Sequence, residues 1–391
     1  MGQLGNRDIV ELTAFRRELH RFPEVSGEEA ATARRVESAL GKTSPDRIVT
    51  GLGGHGVAAV YDGAGEGPTV LVRCELDALP IEEHSDAAHR STFPGKGHLC
   101  GHDGHMATLM GLARILGRAR PARGRVVLMF QPAEEDGSGA AKVLADPAFA
   151  SLSSDWALSL HNMPGMPLGQ AALAAGPMNC ASRGALIRLH GRTAHASMPE
   201  TGHSPAPVLA RLIPALTALG QGRDPRDPGF RLVTVTHARL GEPAFGIAPG
   251  EAELWVTLRT TRDADMAALV TAAEALVAES AAGAQLTHEI GYHDVFHACE
   301  NDPEATAILA GALDAEGVTW DSGTLPMRAS EDFGRFGAVS KSAMFLLGAG
   351  EATPALHNPD YDFPDDLIPI GARIFAAAVR ELLGEGKVQP V

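Results

Sequence analysis

The run Cys100-Gly101-His102-Asp103-Gly104-His105 packs thiol, imidazole and carboxylate groups into six residues. These are the side chains that hold divalent transition metals. Cys100 and His102 lie two apart, so in an extended segment both would point the same way. A helix is predicted just beyond them, over about 104–118, leaving Asp103 to cap it or to orient a ligand histidine. The same residues also read as a turn with an incidental cysteine and a capping aspartate. Gln131-Pro132-Ala133-Glu134-Glu135 follows directly on an apolar run at 125–131. Adjacent carboxylates there suit one metal ligand and one general base, or simply a solvated acidic loop. His161 closes the apolar run 156–161, His357 sits in Leu356-His357-Asn358-Pro359, and Asp77 falls just past the run 69–73. Each is ordinary alone. Together they put ligand-type side chains at turns that follow strands, and such turns converge on one edge of a parallel sheet. A binuclear metal site needs about that many ligands.

The elements that must position these residues are legible from periodicity. Ile9, Leu12, Phe15 and Leu19 recur at helical spacing. Ser26 with Glu29 reads as a capping box opening a second helix that stops near Gly41. Strands are predicted at 56–61, 69–73, 125–131 and 156–161, alternating with helices. This is the pattern of an α/β fold with a mostly parallel mixed sheet and helices on both faces. After Pro177 the order becomes strand 185–190, helix 205–219, strands 231–239 and 251–260, helix 264–279 and strand 285–292. That is the split βαβ order of a ferredoxin-like α+β unit. It reads as an insertion: residues 1–176 and 293–391 form one discontinuous domain, and 177–292 the other.

Composition narrows the function classes. The chain has 391 residues, 45% hydrophobic and 21% charged, and a formal net charge of −15. Such a chain buries a core without disulfides, and its acidity disfavours nucleic acid and anionic membrane as partners. No run approaches the length of a membrane span, and the opening MGQLGNRDIVELTAF carries no signal-like apolar stretch. A cytoplasmic location is the expectation. The four scattered cysteines are then free thiols or metal ligands.

The runs 73–80 and 98–105, Phe130-Gln131-Pro132-Ala133-Glu134-Glu135, Ser330-Glu331-Asp332-Phe333 and Leu356-His357-Asn358-Pro359 resemble the M20 metallopeptidase family. The resemblance runs in order from about residue 10 to 385. It points to the amidohydrolase branch, with hippurate hydrolases, N-acyl-amino-acid aminoacylases and auxin-conjugate hydrolases. It implies a catalytic domain carrying two divalent ions, interrupted by a lid that also makes a homodimer. Carried over, Cys100, His102, Glu135, His161 and His357 match metal ligands, with Cys100 in the bridging place. Glu134 matches the general base, and Asp77 the aspartate that holds the active-site histidine or base. His195, in Gly191-Arg192-Thr193-Ala194-His195-Ala196, matches the lid histidine that steadies the oxyanion in a partner subunit's site. Arg259, on a lid strand, would meet a substrate carboxylate or serve as a surface cation. Zinc, manganese, cobalt and nickel all suit this donor set.

The chain also departs from the family pattern. Glu75 stands where an aspartate is usual, and Glu200 and Ser204 replace a histidine and an aspartate after His195. Gly246 replaces an asparagine that contacts the substrate's carboxylate side. The expected function is metal-dependent hydrolysis of an N-acyl amino acid or similar small amide. The alternatives are a dipeptidase or carboxypeptidase of the same family, or a non-catalytic binding protein on its scaffold. The His102-Asp103 pair also occurs in all-helical phosphohydrolases, against which the strand-rich runs speak.

Overall fold

The computed structural model describes residues 3–388. The chain divides into two compact units. The first runs to Met178 and takes in Glu300–Leu325 and the residues from Asp332 onward; the second is Asn179–Cys299 with Pro326–Glu331.

The first unit is built on an eight-stranded mixed sheet. Thr69–Glu75 lies at its centre and pairs in parallel with Arg125–Gln131 on one side and Trp156–Pro164 on the other. Lys341–Gly350 continues the parallel run beside Trp156–Pro164. All seven residues of Thr69–Glu75 are buried, so the strand is covered on both faces, and its continuous rather than alternating apolarity follows from that. Helix His102–Arg118 packs on Leu367–Leu383 and Asn6–Arg21, and this layer contributes Leu12, Leu112, Ile115 and Phe375 to the core. The register sets Glu75 beside Gln131 and Arg73 beside Ser159. The C-terminal ends of these parallel strands therefore open onto one edge, where Asp77, Glu134 and Glu135 follow and His161 lies in the C-terminal half of its strand.

Local expectations were altered in two places. The capping box at Ser26 and Glu29 does not form: helix Ala30–Leu40 has no side-chain cap from its N-cap residue Glu29. Glu24 accepts from the peptide N–H of Ala31 and Thr32 instead, which frees Ser26 to donate to Asp77 at 2.7 Å. The helix predicted from Gly104 begins at His102, so Cys100 and His102 do not share an extended segment.

The second unit is a four-stranded antiparallel sheet in the order Arg231–Leu240, Glu251–Thr260, Ala181–His190, Thr287–Phe296. Helices Ala206–Thr217 and Asp263–Ala282 pack on it. Burial alternates along Glu251–Thr260, as expected of a sheet covered on one face. Leu212, Leu254, Leu258 and Val277 lie in its own core. Among the described residues no helix is long and apolar enough to cross a membrane.

Candidate metal centre

His102 is the first residue of its helix, and Gly101 before it has φ +95°. A side chain at 101 would be strained there, and its Cβ would sit 2.1 Å from Asn162 Oδ1. Only glycine turns the chain here so that Cys100 and His102 face one point. Ala133 (φ 51°), just before Glu134, and His357 (φ 67°) also occupy the left-handed region. Non-glycine residues held there cluster at functional sites.

The ring atoms are oriented by main-chain acceptors. His102 Nδ1 donates to the Asp77 carbonyl oxygen at 2.8 Å, and His161 Nδ1 donates to that of Asn162 at 2.8 Å. Both rings therefore aim Nε2 inward. His161 Nε2 lies 3.5 Å from Cys100 Sγ. His102 Nε2 lies 3.8 Å from Glu135 and 4.0 Å from Glu134, and Glu135 is 3.7 Å from His357 Nε2. Asp77 accepts from the peptide N–H of Glu135 at 3.0 Å, tying that loop to His102.

Of five groups of potential ligand atoms among the described residues, two hold most of the predicted ligands: Cys100 with His102 and His161, and Cys100 with Glu135 and His357. They share Cys100. A third joins His102, Glu134 and Glu135; within each group the atoms lie within 4.8 Å of one another. The sequence-predicted Asp77, Cys100, His102, Glu134, Glu135, His161 and His357 are thus brought together in the first unit. His195, Gly246 and Arg259 belong to the second unit. Arg259 donates to the Arg328 carbonyl at 3.0 Å and to Ser330 Oγ at 2.8 Å. Gly246 is exposed, and a Cβ there would meet nothing within 4 Å.

The donor set fits a divalent cation. His102 Nε2 is buried and makes no hydrogen bond among the described residues. Burial pushes the His102 pKa down, but the Asp77 hydrogen bond and the Glu75 and Glu135 charges raise it to about 10. The surrounding negative charge favours a cation at this point. Burial, reinforced by Glu135 and Glu134, drives the Cys100 thiol well above its usual value. A metal ion reverses that effect and binds the thiolate. Burial and the neighbouring His105 hold His161 near 3, neutral and ready to ligate.

Asp103 neither caps the helix through its side chain nor orients His102. It accepts from His20 at 2.8 Å and Arg16 at 3.3 Å, because those two buried cations on Asn6–Arg21 need a carboxylate partner. The supporting residues that spacing did not single out stand behind the ligands. His105 is held between Glu75 at 2.6 Å and Asn162 at 2.6 Å, and its ring lies 4.8 Å from that of His161. Arg73 joins Glu75 to Asp332, the latter at 2.6 Å. The spacing of His105 from His102 on one helix, and of Arg73 from Glu75 on one strand, carried that signal.

Similarity to known proteins converges on the same chemistry. A profile of peptidase family M20/M25/M40 matches residues 71–381. The chain is 30% identical over 387 residues to IAA-amino acid hydrolase ILR1-like 2 of Arabidopsis thaliana, covering 96% of this chain and 85% of that one. It is 37% identical over 210 residues to N-acetyl-L-cysteine deacetylase of Bacillus subtilis, covering 54% and 50%. The fold superposes with a TM-score of 0.82 on the Bacillus subtilis YXEP protein, described as a dinuclear metal binding peptidase from the M20 family. That match has 24% identity and covers 97% of this chain and 99% of that one. With the profile spanning most of the sequence and the clustered ligand residues inside it, the protein belongs to peptidase family M20/M25/M40, in its amidohydrolase branch, and is a metal-dependent hydrolase.

Proposed function

We propose that the protein hydrolyses the amide bond of N-acyl amino acids or similar small N-acyl compounds, with two divalent ions and with Glu134 as general base. The observation that carries this reading is the pair of ligand groups sharing Cys100, with Glu134 in contact range of His102 beside them. Cys100, His102 and His161 would hold one ion, and Cys100, Glu135 and His357 the other; zinc, manganese, cobalt and nickel are the candidates. When bound, the ions supply Lewis acidity to the scissile carbonyl and acidify a water molecule. Glu134 takes the proton of the attacking water and returns it to the departing amine nitrogen, so the carboxylate ends as it began. Asp77 steadies both His102 and the Glu134-Glu135 loop. In the same proposal the second unit is a lid through which two copies pair, and His195 of one copy donates to the oxyanion in the partner's site. The outer strand Arg231–Leu240, exposed along its last five residues, supports such pairing. Arg259 and the open space at Gly246 are the candidates for reading the substrate.

Support for the substrate class comes from two relatives named for an amino-acid conjugate and an N-acetylated amino acid. The fold match described as a peptidase favours a second reading, a dipeptidase or carboxypeptidase. Metal-stripped protein reconstituted with each ion and offered N-acyl amino acids beside dipeptides separates them. Faster turnover of the acyl amino acids is the expected result; preference for dipeptides transfers the assignment to the second reading. Ion binding without turnover of either would favour a binding protein. A cytoplasmic location belongs to the same proposal, supported by four buried cysteines with no disulfide among the described residues.

A further inference from the structure

We infer that Ser197 is a positioning residue that fixes His195 in the tautomer carrying its proton on Nε2, so that the ring presents a donor to a substrate oxygen. This rests on the proposed role of His195, but its physical content lies within the second unit alone.

The backbone at His195 is held on one side by a short ladder, in which Ala194 faces Ala248 and His195 faces Ile247. The peptide N–H of Ala196 extends the ladder by donating to the Gly246 carbonyl at 3.0 Å. On the other side a tight turn closes where the Met198 N–H donates to the His195 carbonyl at 2.8 Å. Inside that turn the Ser197 N–H lies 3.1 Å from His195 Nδ1 and the Ser197 Oγ lies 2.7 Å from it. A hydroxyl could serve either tautomer, since it can donate or accept. A peptide N–H can only donate. Nδ1 must therefore be the accepting nitrogen, and the neutral ring carries its proton on Nε2, which makes no hydrogen bond among the described residues. The Ser197 hydroxyl adds a second donor to the same atom.

The tautomer decides what the ring can do. With the proton on Nδ1, Nε2 would turn a lone pair towards an oxygen that gains negative charge, and would repel it. With the proton on Nε2 the ring is a preoriented donor of the kind that stabilises an oxyanion. Ser197 touches no reacting atom in this account and acts through His195.

The test uses the full-length, metal-loaded protein with nitrogen-15 in its histidine rings. The His195 signal is identified by its loss in His195→Ala, and its ring nitrogen shifts distinguish the two tautomers. Wild type and Ser197→Thr should show the proton on Nε2. Ser197→Ala, which keeps the peptide donor and loses the hydroxyl, should keep the proton on Nε2, move the Nδ1 shift as one of its two donors is lost, and lower kcat about 3- to 10-fold at unchanged KM, the size of one hydrogen bond. A wild-type proton on Nδ1 would overturn the inference, as would Ser197→Ala with both shifts and kcat unmoved. Full activity in His195→Ala would instead sink the oxyanion role, a failure the ring shifts do not share.

Discussion

Glu134 and Gly101 are the residues on which single-atom tests bear most directly. Glu134 stands beside the ligand groups without belonging to the two that share Cys100. Glu134→Gln should keep its metal content, measured by elemental analysis, and lose turnover by about 10²- to 10⁴-fold, the usual worth of a general base. Near-normal turnover would remove it from that role. Gly101→Ala meets both a positive φ and a collision with Asn162. Strain alone costs about 1–3 kcal/mol, so lowered thermal stability and weakened metal binding should appear together. The ligand types at 134, 135 and 161 were legible because they fall at or near strand ends, and those at 100, 102 and 357 from the short motifs that carry them. How Cys100 meets His102 was not. The spacing suggested a shared extended face, whereas the structure achieves it with a left-handed glycine and a helix that starts two residues early.

At the scale of elements, helix Asn6–Arg21 does more than its apolar stripe announces. Its spacing of Ile9, Leu12, Phe15 and Leu19 predicted a helix, and one is there. Arg16 and His20 are nonetheless buried on it. Arg16 pairs with Asp362 at 2.6 Å and Asp365 at 2.8 Å, and His20 is held between Asp103 and Glu83. Those partners lie far along the chain, so no local pattern could reveal them. Burial disfavours the His20 charge, but Asp103 and Glu83 outweigh it and raise its pKa to about 10. The folded value exceeds the unfolded one of about 6.5. The charged ring therefore stabilises fully below the unfolded value, and its contribution fades as pH rises through about 10. Denaturant titrations of wild type should show that alkaline loss, and His20→Gln should lack it. The variant should also be less stable by about 3–5 kcal/mol at neutral pH, because Asp103 and Glu83 lose their buried partner. An unchanged alkaline limb would show that His20 is not charged in the folded state.

For the whole molecule, the two units have separate cores, and the ligand residues lie in the first. Ion removal should therefore destabilise that unit selectively. An ion present at about 100 times its Kd contributes about 2.7 kcal/mol, so a chelator should lower one calorimetric transition and spare the other. Equal shifts in both would argue that the units unfold as one. If sites are shared between two copies, mixing Glu134→Ala with His195→Ala protein should restore some activity. No rescue despite proven subunit exchange would count against pairing of that kind. The alternation of strands and helices, and the change of pattern after Pro177, made the two architectures readable from the sequence. The eight-strand order was not, since it depends on pairings such as Gly56–Asp62 antiparallel to Arg125–Gln131 that span long stretches of chain.

Anomalous diffraction from crystals of the metal-loaded protein, recorded at the absorption edge of the bound element, goes to the heart of the assignment. Two peaks about 3.5–4 Å apart, both bonded to the Cys100 sulfur at about 2.3 Å, are expected, one with His102 and His161 and the other with Glu135 and His357. A lone peak, or two peaks that both leave Cys100 uncoordinated, would contradict it.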